Sequence, residues 1–148
     1  MSSARAAALL GLLAIGGCWP AAIDPPPEEV AIDRFAKGEK LFAAGHYTDA
    51  AIEYEYAIKH RWRWKEPYVR LAACHEKSGR EDDAIAVYQR LQKIDGDDPA
   101  ALRGLGQIHA RRGDAARALD FYRKLKTLQP DDRALDGEIQ RLEALRKP

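Results

Sequence analysis

GHYTDAAIEYEYAI (45–58), GREDDAIAVYQRL (79–91) and GDAARALDFYRKL (113–125) are three versions of one segment. Gly45, Gly79 and Gly113 stand 34 residues apart, as do Ala50, Ala84 and Ala118, and again Tyr54, Tyr88 and Tyr122. A period of roughly 20–50 residues signals stacked copies of one supersecondary unit. Each column has a physical reason. Glycine takes the left-handed backbone that ends the first helix of a pair. Alanine lets two helix backbones approach closely. The tyrosine, one helical turn on, lies on the same face and fills the space between helices. Ala84 is therefore expected at a close helix crossing, whereas Glu81 reads as plain surface. Thr48, Asp82 and Asp114 are placed to cap the second helix of each pair. Asp98-Pro99 reads as a cap followed by proline at the first helical position.

These columns resemble the tetratricopeptide repeat. The resemblance runs from about Ala31 to Asp132 in three units, near 31–64, 65–98 and 99–132. Gly38 and Gly106 match the family's small residue in the first helix, with Ala72 in the same role. Pro130 matches the proline that closes a unit, and Trp62 and Gly96 stand in its place in the first two. Tyr68 supplies the large aromatic near the start of the first helix, where Arg34 and Leu102 stand elsewhere. Arg133 to Lys147 reads as a seventh helix with Leu135, Ile139, Leu142 and Leu145 on one side. Such a helix covers the exposed end of a solenoid. Helices are expected near 30–44, 48–60, 67–78, 82–94, 98–112, 115–127 and 132–146. The resemblance implies an all-α fold over residues 30–148, a right-handed superhelix of three helix pairs with a C-terminal capping helix. First helices would line its concave groove.

The N-terminal stretch has a different composition. In Met1–Gly17, Arg5 supplies a positive start, Ala6 to Ile15 form an apolar run, and Gly16 and Gly17 are small residues before a cut. This pattern reads as a secretory signal. Ten apolar residues in helix cover about 15 Å, short of the roughly 20 residues a membrane span needs. Ile15-Gly16-Gly17-Cys18 resembles the lipobox of bacterial lipoproteins, which implies a diacylglycerol on the Cys18 thiol and a mature chain starting there. An ordinary signal peptide that contains a cysteine is the alternative. Trp19 follows, not the aspartate that retains lipoproteins at the inner membrane, so the resemblance favours an outer-membrane lipoprotein facing the periplasm. Inner-membrane anchoring and a soluble periplasmic form are the other options. Residues 18–29, with Pro25-Pro26-Pro27 among them, read as a short semi-rigid tether.

Chemistry is sparse in the remaining residues. The formal net charge is +1, so no global field points to nucleic acid, and no nucleic-acid partner is expected. His75 and His109 hold equivalent places in adjacent units and read as core or half-buried residues. Cys74 reads as a small buried apolar residue. Asp97-Asp98 and Asp131-Asp132 fall at unit junctions, where caps are needed. No phosphate loop, nucleophile elbow or metal motif appears, so no enzyme activity, cofactor or metal is expected.

Binding is the remaining function class. The resemblance assigns ligand contacts to groove-facing side chains of the first helices. These are Phe35, Glu39 and Phe42 in the first unit, and Val69, Ala73, Glu76 and Lys77 in the second. Arg103, Gln107 and Arg111 follow in the third, with Arg141 from the last helix. The groove thus grades from apolar and acidic to basic, and its basic end suits an acidic segment. Phe35 and Glu39 do not match the lysine and asparagine of family members that clamp a terminal carboxylate. A second candidate surface is His60-Arg61-Trp62-Arg63-Trp64-Lys65, where Trp62 and Trp64 would anchor a partner or meet lipid headgroups. The alternative there is that Trp62 packs onto the second unit while the arginines stay wet. The expectation is a lipid-anchored adaptor that holds a protein or peptide segment in its groove, during assembly of an outer-membrane, secretion or pilus complex. A regulatory accessory of a cell-wall enzyme and a structural subunit of an envelope machine are the rivals.

Overall fold

The computed structural model describes residues 27–146, whose regular structure is helical throughout. The order is α1 (Pro27–Ala43), α2 (Tyr47–His60), α3 (Lys65–Lys77), α4 (Glu81–Ile94), α5 (Pro99–Arg111), α6 (Ala115–Leu128) and α7 (Arg133–Arg146). The signal segment, Cys18, the tether as far as residue 26, and Lys147 lie outside the described residues. Helix α1 starts at Pro27, inside the stretch read as tether. Proline is tolerated in a first turn, where its missing N–H would have no partner. Among the described residues no helix is long and apolar enough to cross a membrane.

The three glycines of the repeat carry φ values of 82°, 71° and 77° at Gly45, Gly79 and Gly113. Each closes its first helix with the same pair of bonds. His46, Arg80 and Asp114 donate their backbone N–H to the carbonyls of Leu41, His75 and His109 at 2.9 Å, and each glycine N–H reaches a carbonyl inside that loop. Only one residue then separates the glycine from the next helix, so the cap falls at His46, Arg80 or Asp114. Asp114 has an acceptor there and takes the Arg117 N–H at 3.1 Å. His46 and Arg80 make no side-chain cap bond. Thr48 and Asp82, expected as caps, instead lie within the first turns of their helices. Asp82, with Glu81 and Asp83, opposes the positive end of the α4 dipole. At the other end of the bundle Asp98 accepts from Ala100 and Ala101 ahead of Pro99, as expected.

Ala50, Ala84 and Ala118 are fully buried, and Tyr54, Tyr88 and Tyr122 nearly so. Two rings lie against the backbone of their own unit's first helix. A Cβ built on Gly38 would stand 2.6 Å from the Tyr54 ring, and one on Gly106 2.4 Å from the Tyr122 ring. The middle unit differs. Ala72 already carries a methyl group at the matching place, and the Tyr88 ring lies against Gly104 of the next unit, 2.2 Å from a built Cβ. The core forms two clusters. One spans Ala50 to Ile108, and the other holds Leu102, Ala118, Leu119, Tyr122, Leu125, Leu135 and Leu142. Phe121 packs against both. Leu135 and Leu142 seal the last pair as a capping helix should, but Leu145, expected beside them, is 71% exposed. Glu53 is buried beneath Arg34 and Lys37, bonded at 3.0 and 2.5 Å. Burial alone would raise its carboxyl, but the two cations outweigh that and hold it below the usual range.

Two glycine substitutions should therefore move stability in opposite directions. Gly106→Ala pushes a methyl into the buried Tyr122 ring and should cost about 1–3 kcal/mol. Gly137→Ala, on an exposed turn of α7 with nothing within 4 Å, should stabilise by about 0.5–1 kcal/mol. Urea unfolding of both variants measures this, and equal effects would contradict the ring-on-backbone contact.

Candidate functional site

The odd-numbered helices stand side by side, and polar bridges between them define one face. Tyr54 donates its hydroxyl to Glu39 at 2.6 Å, and Arg70 of the next unit reaches the same carboxylate at 2.9 Å. The second unit repeats this: Tyr88 donates to Glu76 at 3.0 Å, and Arg111 of the third unit donates at 2.7 Å. Burial, and then the neighbouring carboxylate, push both tyrosine hydroxyls well above their ordinary value. Glu39 and Glu76, expected to contact a ligand, thus act as fasteners between units.

The third unit lacks this fastener. At the 34-residue spacing Gln107 takes the place of Glu39, and Ala110 takes the place of Glu76. A pocket of about 570 Å³ opens there between α5, α6 and α7, lined by Arg103, Gln107, Arg111, Tyr122, Glu138 and Arg141 among others. Four of the expected groove residues, Arg103, Gln107, Arg111 and Arg141, meet in this one pocket.

Their charge is not free, which corrects the simple picture of a basic groove end. Arg103 donates to Gln129 at 2.8 Å and Asp132 at 2.7 Å. Arg111 bridges Glu76 and Glu81 at 2.7 and 2.9 Å, and Arg141 pairs with Glu138 at 2.5 Å. Arg103 and Arg141 each spend one nitrogen, and Arg111 spends Nε and Nη2. The remaining N–H groups of each fork donate no hydrogen bond among the described residues. The pairs hold the guanidinium planes in place and offset their charge. Glu81, read from sequence as plain surface, accepts from Arg111 and Arg112, both at 2.9 Å.

The other expected contacts serve mainly in packing. Phe35 lies between the rings of Tyr54 and Trp64, with centroids at 5.5 and 4.7 Å. Phe42 packs on Tyr47 at 5.3 Å, with Arg70 over its face at 5.7 Å. Val69 and Ala73 are half-buried, while Lys77 is exposed and enters no ion pair among the described residues.

At the α2–α3 joint the two tryptophans, read together as an anchor with Trp62 packed on the second unit as the alternative, differ in exposure. Trp62 is 56% exposed, with Arg63 over its ring at 4.7 Å. Trp64 is the packed one. It packs tilted against Phe35, carries Arg61 over its face at 5.0 Å, and donates Nε1–H to Glu66 at 3.0 Å. Asp98 and Asp132 hold the equivalent places in the later joints and accept backbone N–H groups there. Trp64 makes no such cap bond, a loss that typically costs about 1 kcal/mol.

Cys74 is fully buried, and burial pushes its thiol up to about 11, away from nucleophilic use. His109 stacks on Phe121 with centroids 5.7 Å apart, and its Nδ1 lies 3.7 Å from Asp114. His75 is half-buried, and its Nδ1 has no hydrogen-bond partner among the described residues. Burial, and then Arg80, lower its pKa. It lines a second concavity of about 480 Å³ with Ile52, Tyr56 and Leu71, between α2 and α3. Sequence reading missed this feature. Its signal was available, since the places of Ile52 and Tyr56 hold Asp120 and Lys124 in the third unit.

Hydrogen bonds from Arg112 and then Arg111 hold the Glu81 carboxyl below the ordinary value of 4.5. A depressed folded-state value means this contribution is complete above that ordinary value and is lost as pH falls through the lower folded one. Glu81→Gln should therefore lower Tm at neutral pH and flatten its fall below pH 4.5. Parallel Tm–pH curves for both proteins would contradict the shared ion pair.

Comparison with known proteins agrees with this architecture. A family model described as tetratricopeptide repeat matches residues 41–108 and 77–144. The type III secretion chaperone SycD of Yersinia enterocolitica, in complex with a peptide of the translocator YopD, superposes with a TM-score of 0.74 at 14% identity. That match covers 80% of this chain and 96% of that one. The first TPR of Spaghetti (RPAP3), bound to the HSP90 peptide SRMEEVD, gives 0.73 at 16% identity over 81% and 96% of the two chains. A peroxisomal targeting signal receptor of Yarrowia lipolytica is 26% identical over 108 residues, 72% of this chain but only 17% of that protein. This chain thus spans about a sixth of that relative's length. With its repeat matched by the family model over most of its length, the chain belongs to the tetratricopeptide repeat family.

Proposed function

We propose that this protein is a lipid-anchored adaptor of the bacterial envelope that holds a segment of a partner protein against its odd-numbered helices. The observation that carries the reading is the pocket between α5, α6 and α7, which opens where the tyrosine fastener is missing. Three arginine forks with spare donors and the exposed amide of Gln107 line it, beside the apolar edge of Tyr122. A short peptide can place a carboxylate or a backbone carbonyl on those donors while an apolar side chain covers the ring. Two of the similar structures are described as holding peptides, which supports a peptide as the occupant here. The lipobox-like Ile15-Gly16-Gly17-Cys18 supports anchoring at the membrane. Assembly of an outer-membrane, secretion or pilus complex is the setting this combination fits.

A photoreactive side chain at Gln107, exposed in the pocket, should crosslink a partner segment in envelope preparations. The same group at Gln89, exposed on α4, should not, and equal yields from the two positions would remove the groove as the binding face. Arg141→Ala breaks only a surface pair three residues apart, so it should weaken capture with Tm unchanged. Arg111→Glu should also lower Tm, because it sets a third carboxylate beside Glu76 and Glu81. For the anchor, Cys18→Ser should move the protein out of the membrane fraction or leave an unprocessed precursor. Normal processing and unchanged fractionation of that variant would end the lipoprotein reading.

A further inference from the structure

Three joints link the units, α2–α3, α4–α5 and α6–α7, and all lie at the end of the bundle where α1 begins. They are chemically unlike. The second reads Asp95-Gly96-Asp97-Asp98 and the third Gln129-Pro130-Asp131-Asp132, while the first reads Arg61-Trp62-Arg63-Trp64. At matching positions, two acids in each later joint become an arginine and a tryptophan in the first.

Packing accounts for only part of that change. Trp64 is held by Phe35 and Arg61, but Trp62 is 56% exposed and Arg63 rests on its face. Lys65 leans toward Asp95 and Asp98 at 2.7 and 3.1 Å. Arg63 enters no ion pair among the described residues, and three cations, Arg63, Lys65 and Lys93, flank the hollow beside Trp62 with the single acid Asp95.

The position of the joint supplies a second observation. Arg61 pairs with Glu28 at 3.3 Å, which fixes the joint against the first turn of α1. Cys18 precedes Pro27 by nine residues. Nine residues of fully extended chain span about 30 Å at most. A lipid on Cys18 therefore keeps the bilayer within reach of the first joint.

We infer that the first joint is a membrane-contact surface: Trp62 enters the headgroup layer of an anionic bilayer while Arg63 and Lys93 meet lipid phosphates. The inference rests on the anchoring reading of Cys18 for its geometry. Tryptophan settles at the membrane–water boundary, and juxtamembrane cations are drawn to anionic lipid. Asp95 of the second joint lies in the same hollow but is offset by Lys65, while Asp97 and the acids of the third joint are repelled by the same surface. Contact through the first joint and the adjoining end of α4 then tilts the bundle so that the pocket at α5–α7 stands away from the bilayer, open to a partner.

The test uses the full chain with Trp19→Phe, which leaves Trp62 and Trp64 as reporters, in vesicles of phosphatidylglycerol and phosphatidylcholine carrying brominated acyl chains. Bromolipid should quench about a third or more of the fluorescence, as expected for one of two tryptophans at the interface. Adding Trp62→Phe or Arg63→Glu should abolish most of that quenching, and phosphatidylcholine alone should give much less. Unquenched Trp62 on sedimented vesicles, or quenching unchanged by either substitution, overturns the proposal. So does crosslinking of residue 62 to a protein with no quenching. The anchor is read separately, from the mass of the Cys18 peptide. Acylated Cys18 with unquenched Trp62 sinks this inference alone, whereas unmodified Cys18 with Trp62 still quenched sinks the anchor and upholds the joint.

Discussion

A phenol ring lying on bare helix backbone fixes the distance between helices in this protein, and most other features follow from that contact. Tyr54 and Tyr122 rest where Gly38 and Gly106 have no side chain, and Tyr88 rests on Gly104. The ring is too large for the gap unless the facing residue is glycine, and the gap is too large for packing without the ring. The positive-φ glycines set the turn that delivers each tyrosine to its place. Because the hydroxyl emerges on the face made by the odd-numbered helices, it needs a partner there. In the first two units Glu39 and Glu76 provide it and recruit an arginine from the next unit.

The candidate binding pocket follows from relaxing that arrangement once. Gln107 and Ala110 remove both acids from the third unit while the ring and its glycine stay. The arginines remain, and the nearest carboxylates of the chain hold them in defined orientations. A ligand carboxylate exchanges one set of oxygen partners for another, so net affinity depends on how well its geometry betters the internal pairs. Such exchange favours specificity over strength.

Much of the fold was legible in the sequence because a 34-residue spacing of glycine, alanine and tyrosine is a one-dimensional signal. Helix identities, the Asp98 and Asp114 caps and the burial of Cys74 all derive from local chemistry. The misplaced caps at Thr48 and Asp82 came from reading residue type without the turn that fixes where a helix begins. The groove was less legible. The family resemblance put Arg103, Gln107, Arg111 and Arg141 in the groove, and the four line one pocket, yet their partners Asp132, Glu76, Glu81 and Glu138 come partly from other helices. Whether Trp62 or Trp64 turns inward depends on Phe35, nearly thirty residues upstream. Neither relation has a period that a single sequence displays.

The division of the core into two clusters joined through Phe121 has a consequence for cooperativity. In a linear stack, each unit is stabilised by its own packing and by its neighbour, so the chain opens in segments rather than all at once. The second cluster belongs largely to α6 and α7, with Leu102 from α5, and it contributes Tyr122 and Leu135 to the wall of the pocket. A peptide held in that pocket, as proposed, would add binding free energy to this terminal segment first. The last helix, loosely held at its exposed end, becomes the element whose folding is most sensitive to the partner. If the pocket is occupied as proposed, recognition and local folding of α7 would form a single equilibrium, one step removed from the two tyrosine-fastened units.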